Sequence, residues 1–123
     1  MKTVFTEKAP AAIGTYSQAK IVGNFVFTSG QIPINSATGL IECNMIEGQT
    51  KRVCENIAAL LSAAGTSIDK VIKTTCFLSD MKYFSEFNKV YEQYFVSKPA
   101  RSCVAVKDIP KGALVEIEAI CEI

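Results

Sequence analysis

The 123-residue sequence contains no histidine. That removes the commonest general base, the commonest metal ligand and every Ser-His or Cys-His nucleophile pair. Net charge is scarce as well: 13 Lys and Arg stand against 12 Asp and Glu, a formal +1. With no basic block and no acidic tail, nothing signals a nucleic-acid or membrane partner electrostatically. No apolar run approaches the roughly 20 residues that span a bilayer. The start, Met1 to Glu7, meets an acid before any long apolar stretch and does not read as a secretory signal. The five cysteines, at 43, 54, 76, 103 and 121, are odd in number and hold no C-x-x-C pair. That speaks against a disulfide framework or a zinc site. Reduced thiols packed as small hydrophobes in a cytoplasmic protein are expected, with the role of Cys103 left open.

What is present is the balance of a folded chain, 49% hydrophobic and 20% charged, of a length that suits one domain over residues 1–123. Residues 4–6 read as a short strand. Gly23-Asn24 is a two-residue turn between apolar-rich runs at 16–22 and 25–29, which predicts a hairpin with Ser29 opposite Gln18 and Tyr16 opposite Gln31. Pro33 and Ser36-Ala37-Thr38-Gly39 then mark a loop. Asn44 with Glu47 three residues on looks like a helix start. Val53, Ile57, Leu60, Leu61 and Ala64 follow at helical spacing and Gly65 is the stop, giving a helix over about 45–64. Residues 68–78 alternate as a strand, with Ile72, Thr74, Cys76 and Leu78 on one face. Asp80 can cap a second helix whose apolar stripe is Phe84, Phe87, Tyr91, Tyr94 and Phe95, closed by Pro99. Asn88 sits within that stripe and must find a hydrogen-bond partner. Strands at 101–106 and 113–123 finish the chain. The order β-β-β-α-β-α-β-β predicts an α+β fold, with two helices on one face of a mixed sheet. The other face, with Val71, Thr75 and Phe77 pointing toward it, then needs cover, which argues for an oligomer.

Chemistry-bearing residues concentrate near the end. Arg101 and Cys103 share a strand face. An antiparallel pairing of the last two strands would set Cys103 opposite Glu116 and Arg101 opposite Glu118. Such an arginine either captures a small carboxylate or staples the sheet through a cross-strand Arg–Glu pair, and spacing does not choose between them. Glu116 and Glu118 lie two apart on one face and could differ in pKa, one being suited to proton transfer. Equally, they could mark a solvated strand face. Thr28-Ser29-Gly30-Gln31 ends a strand at a glycine, which admits either a ligand or a bulge. The Ser29 hydroxyl and the Tyr16 phenol could touch ligand or water, but neither has a base beside it in sequence.

Several segments taken together resemble the RidA/YjgF family of reactive-intermediate imine deaminases. They are the run from Ala9 to Ala19, Phe27-Thr28-Ser29-Gly30-Gln31-Ile32-Pro33, Val71-Ile72-Lys73-Thr74-Thr75, and Pro99-Ala100-Arg101-Ser102-Cys103-Val104 followed by Val115-Glu116-Ile117-Glu118-Ala119. The resemblance covers essentially the whole chain, and the Pro-Ala-Arg-Ser-Cys-Val stretch is its most specific part. It implies a chorismate-mutase-like fold and a homotrimer whose clefts lie between subunits. The implied activity is hydrolysis of 2-imino or enamino acids, such as 2-iminobutanoate and 2-iminopropanoate, to 2-keto acids and ammonia, with no metal or organic cofactor. Carried over by position, Arg101 would bind the substrate carboxylate and the Cys103 backbone would help hold it. Glu116 would orient or activate the attacking water. Tyr16 and Ser29 would line the pocket, with Gly30, Ile32 and Asn88 near it. The run Val96-Ser97-Lys98 looks several residues shorter than is usual in this family, which bears on substrate size.

Two other functions compete. The family is also described as an endoribonuclease or translation inhibitor, but this chain has no basic stripe, no interleaved stacking aromatics and no histidine for RNA cleavage. A non-catalytic sensor of small carboxylates would also use the arginine.

Overall fold

The computed structural model describes residues 1–123. Gly23 takes the left-handed φ of +56° that the first position of a tight hairpin turn favours. It joins β2 (Ala19–Val22) to β3 (Phe25–Thr28) in the expected register, Ala19 opposite Thr28 and Val22 opposite Phe25. The Ser29 N–H donates to the Gln18 carbonyl at 2.9 Å, and the hairpin ends there. Tyr16 is not opposite Gln31 as predicted: Gln31 instead exchanges two backbone bonds with Ile117, at 2.8 and 3.1 Å. The reason lies in Gln18, buried at the hairpin's end. Its amide nitrogen donates to the carbonyls of Thr6, Ala9 and Pro10, and its Oε1 accepts from the Thr6 N–H. Those bonds hold residues 6–10 as a loop, so β1 (Lys2–Val4) lies earlier than the predicted 4–6 and pairs with β2. Residues 34–41, expected as plain loop, form a small separate hairpin of β4 (Ile34–Asn35) and β5 (Leu40–Ile41).

Helix α1 (Ile46–Ala63) buries the predicted apolar stripe and stops at Gly65, φ +89°. There the Thr66 N–H reaches Leu61 O and the Gly65 N–H reaches Ser62 O, satisfying carbonyls the helix leaves open. Asn44 is not its cap. Met45 occupies that position without a side-chain bond, and the Cys43 thiol fills the space beside Gly48, where a Cβ would collide with Sγ. Asp80 behaves as read: its Oδ1 accepts from Lys82 N at 2.8 Å, capping a short 3-10 turn that runs into α2 (Phe84–Tyr94).

Strands β6 (Val71–Leu78), β7 (Ala100–Ala105) and β8 (Val115–Glu122) complete a six-stranded sheet in the order β1-β2-β3-β8-β6-β7. Both helices cover one face, and Phe87, Phe95, Ile57, Leu61, Val115 and Ile117 meet in the core between them. A bulge between Val71 and Lys73 reverses the predicted facing at the start of β6. Val71 is buried in the core and Ile72 is 42% exposed, whereas Thr74, Cys76 and Leu78 are buried as expected.

The largest departure concerns β7. It pairs in parallel with β6, Thr74 opposite Arg101 and Cys76 opposite Cys103, and does not touch β8. β8 instead lies antiparallel between β3 and β6. The predicted pairs Cys103–Glu116 and Arg101–Glu118 therefore do not form. A β6–α2–β7 crossover gives α2 a sheet face to pack on, and such crossovers join parallel neighbours. The connection from 106 to 114 is long enough to step across one intervening strand. The open face carries Phe25, Phe27, Phe77, Thr75 and Ile120 among Glu116, Glu118 and Lys73. No helix is long and apolar enough to cross a membrane.

Phe87 is fully buried between α2 and the sheet, its ring 5.5 Å from that of Tyr91. Phe87→Ala should lower unfolding free energy by about 3–5 kcal/mol in urea melts at fixed protein concentration. A loss below about 1 kcal/mol would show that the helix–sheet core is not what holds the fold.

Candidate active site

Arg101 stands on edge strand β7 and turns toward α2. Phe84, Asn88 and Tyr91 lie at helical spacing on the α2 face that meets it. The guanidinium sits 4.8 Å from the Tyr91 ring centre and 5.5 Å from that of Phe84, and Nη1 donates to Asn88 Oδ1 at 2.6 Å. The Tyr91 hydroxyl is in turn tied to Thr74 Oγ1 at 2.6 Å. Burial pushes this phenol up to about 12, so it stays neutral. Arg101 is thus held by two π faces and one neutral amide, with no carboxylate on it. The one ion pair in the chain is Arg52–Glu55, at 3.9 Å. The remaining guanidinium donors suit a planar carboxylate. Val96, Lys98 and Pro99 border the recess beside Arg101, so the short 96–98 run does adjoin it. That run turns through Lys98 at a left-handed φ of +52°.

Cys103 lies two residues further along the same face, half-buried, opposite the fully buried Cys76. The Cys76 thiol, in register with Cys103 on the neighbouring strand, donates to Thr74 Oγ1 at 3.8 Å. The adjacent Cys76 thiol, and after it the Arg101 charge, bring Cys103 down to about 7 against the opposing effect of burial. The neighbouring Cys103 and burial push Cys76 far up, keeping it a thiol.

Glu116 belongs to a second cluster. Between Phe27–Ile120 and Gln31–Ile117, Thr28, Ser29 and Gly30 face only Glu118 and Ala119, so this segment bulges. The Thr28 hydroxyl fills the gap by accepting from the Ala119 N–H at 3.0 Å. Gly30 then lies directly against the Glu116 carboxyl, and a Cβ there would collide with Oε2 and come within 2.9 Å of Cδ. Glycine is needed for that approach. Burial, and next the charge of Glu118, raise the Glu116 carboxyl above the ordinary carboxylate range. Tyr16, Gly30 and Ile32 share a recess with Pro10, Ile13 and Lys111. The Ser29 hydroxyl donates to the Ser17 carbonyl at 2.5 Å, leaving its oxygen as an acceptor.

The predicted site residues therefore divide into two groups. Asn88, Arg101 and Cys103 gather on the helix face at the β7 edge. Tyr16, Ser29, Gly30, Ile32 and Glu116 gather around the bulge facing β8. Arg101 is in register with Thr74, which faces the helices, whereas Glu116 is in register with Phe77, which faces away from them. The two charged groups thus lie on opposite faces of one sheet. Sequence reasoning missed Tyr91, Phe84, Thr74 and Cys76 as parts of the Arg101 environment. The helical spacing of Phe84, Asn88 and Tyr91 was visible, but only the parallel placement of β7 beside β6 shows what they surround.

The Endoribonuclease L-PSP family model matches residues 6–123. The chain belongs to this family, which includes the RidA and RutC proteins. It is 53% identical over 120 residues to a RutC family protein of Pyrococcus abyssi, covering 97% of this chain and 94% of that one. It is 43% identical over 123 residues to the 2-iminobutanoate/2-iminopropanoate deaminase of Escherichia coli K12, covering 97% and 95%. Among solved structures, E. coli TdcF with bound serine superposes with a TM-score of 0.95 at 42% identity, covering 100% of this chain and 99% of that one. The two-helix, mixed-sheet architecture is that of the L-PSP family, as the sequence resemblance implied.

The Cys103 environment in this family member makes a pH-dependent prediction. Thiolate is the reactive form, and the groups acting on this thiol are Cys76 and Arg101. Iodoacetamide labelling of Cys103 should rise with pH through a midpoint near 7 in the native protein. A midpoint at the ordinary thiol value, with peptide mapping placing the label on Cys103, would contradict this geometry.

Proposed function

We propose that the protein hydrolyses small 2-imino and enamino acids, 2-iminobutanoate and 2-iminopropanoate among them, to the 2-keto acid and ammonia. It would act as a cytoplasmic homotrimer whose clefts lie between subunits. The observation that carries this reading is the pairing of a rigidly held, carboxylate-free Arg101 with a half-buried Glu116 of raised pKa, set on opposite faces of one sheet. One chain cannot bring them together, but two neighbours can. The open sheet face, with Phe25 and Phe27 41% and 43% exposed, supplies apolar surface for that association.

In this mechanism Arg101 takes the substrate carboxylate, held in place by Asn88 and the Phe84 and Tyr91 rings, with the Cys103 backbone beside it. Tyr16, Ser29, Gly30 and Ile32 line the rest of the cleft. Glu116 accepts a proton from water as the oxygen attacks the imine carbon. It returns that proton to the nitrogen to give a carbinolamine, then takes the new hydroxyl's proton and passes it to the nitrogen as the C–N bond breaks, releasing the 2-keto acid and ammonia. An imine is already electrophilic, so positioned water and one proton carrier are enough and histidine is not required. A raised carboxyl pKa suits this two-way traffic near neutral pH. The 42% identical structural relative was solved with bound serine, a small molecule with a carboxylate, which fits an arginine-based cleft. The family's name points to RNA cleavage instead, but the near-neutral chain offers no basic track for a phosphate backbone.

The test generates 2-iminobutanoate and 2-iminopropanoate in situ and traps survivors with semicarbazide. Wild type should accelerate imine loss. Arg101→Ala should cost roughly 10- to 150-fold in kcat/KM, the equivalent of one charge-assisted contact. Glu116→Gln should cost about 10²- to 10⁴-fold. Because Glu116 must be ionised to accept a proton, wild-type activity should fall with acidification at a pH above the usual carboxylate range, and this limb should be absent from the residual activity of Glu116→Gln. A folded, trimeric wild type without turnover of either imine would refute the proposal.

A further inference from the structure

Cys76 and Cys103 are the only two cysteines placed opposite one another in the sheet. They lie on adjacent parallel strands with both side chains toward the helices. Neighbouring strands run about 4.8 Å apart, inside the roughly 4.4–6.8 Å Cα separation that a disulfide spans. Their accessibility differs sharply: Cys76 is fully buried, Cys103 half-exposed beside Arg101. An oxidant arriving from solvent meets Cys103 first, and any intermediate formed there has a second thiol directly opposite on the neighbouring strand. The other cysteines lack this arrangement. Cys54 is buried and its thiol pushed up to about 12, and Cys121 hydrogen-bonds to the backbone at Ser67 and Glu122.

We propose that Cys103 and Cys76 form an oxidisable dithiol, in which a hydroperoxide oxidises Cys103 and Cys76 resolves the product into a disulfide linking β7 to β6. In the first step the Cys103 thiolate attacks the peroxide's terminal oxygen. The O–O bond breaks, sulfur is oxidised to sulfenic acid, and peroxide is reduced to hydroxide or the corresponding alcohol. In the second step the Cys76 sulfur attacks the Cys103 sulfur, an S–S bond forms, and the S–O bond breaks. The Cys76 proton leaves with that oxygen as water. The adjacent Cys76 thiol and the Arg101 charge favour the thiolate the first step needs. Cys76 passes its proton to the leaving oxygen as its sulfur attacks, so the nucleophile gains thiolate character and the oxygen leaves as water in the same step. A bridge across adjacent parallel strands is a constrained one, of the kind that a thiol reductant reopens.

This chemistry stands independently of imine hydrolysis, because the test reads thiols and not turnover. The intact protein is treated with hydrogen peroxide, its free thiols are blocked, and a non-reducing digest is analysed by mass spectrometry. The expected result is a linked pair of peptides containing Cys76 and Cys103, two hydrogens lighter than the reduced pair and separated again by dithiothreitol. In Cys76→Val, dimedone should trap Cys103 sulfenic acid severalfold more than in wild type, since nothing resolves it. Two wild-type outcomes would overturn the proposal, and neither depends on how a variant folds. One is Cys103 remaining a free thiol under peroxide that oxidises the denatured chain. The other is Cys103 passing on to sulfinic acid without any link to Cys76.

Discussion

The position of β6 between β7 and β8 governs the rest of the molecule. It makes β7 an edge strand parallel to β6, so Arg101 faces α2 and meets Phe84, Asn88 and Tyr91. It also gives β8 two antiparallel neighbours, with Val115, Ile117, Ala119 and Cys121 in the core and Glu116 and Glu118 on the far face. Arg101 and Glu116, which a hairpin would have set on one face beside Glu118, are instead kept apart, each without an ion partner in its own chain. Under the proposed function that separation is what leaves both groups free to act on a substrate between subunits.

Each charged group is held by a device that adds no opposite charge. Two aromatic faces and an amide orient Arg101, contacts worth about 0.5–2 kcal/mol each when partly desolvated. Glu116 packs on bare backbone at Gly30, where any side chain would displace it. Both arrangements preorganise a group without quenching it, as binding and proton transfer require. The same neutrality extends to the sulfur pair. The neighbouring Cys76 thiol, and after it the Arg101 charge, lower the Cys103 pKa.

Much of this was legible in the sequence because it is local. The α1 stripe and its stop at Gly65, the Asp80 cap, the Gly23-Asn24 turn and its register follow from periodicity and turn chemistry within a few residues. The family resemblance also reached the fold class. What failed was non-local. The 106–114 connection reads naturally as a hairpin loop, and nothing within it reveals that β6 intervenes. The bulge at Val71–Lys73 exchanged the faces of Val71 and Ile72 in an otherwise alternating strand. The Asn44 signal competed with the packing of Cys43 against Gly48 and lost, so the helix starts without a side-chain cap. The Gln18 side chain, whose four hydrogen bonds shape the loop beside the Tyr16 recess, carried no pattern that spacing could show.

The central claim is that a working cleft takes Arg101 from one subunit and Glu116 from its neighbour, and subunit mixing tests it most directly. Arg101→Ala and Glu116→Gln proteins, each impaired alone, are unfolded together, refolded as a mixture and assayed for imine hydrolysis, with native mass spectrometry confirming mixed trimers. The account predicts recovery of about a quarter of wild-type activity, the chance that a randomly assembled cleft draws both intact residues. Mixed trimers that stay as impaired as their parents would contradict it, since that result requires both residues of a cleft to come from one chain.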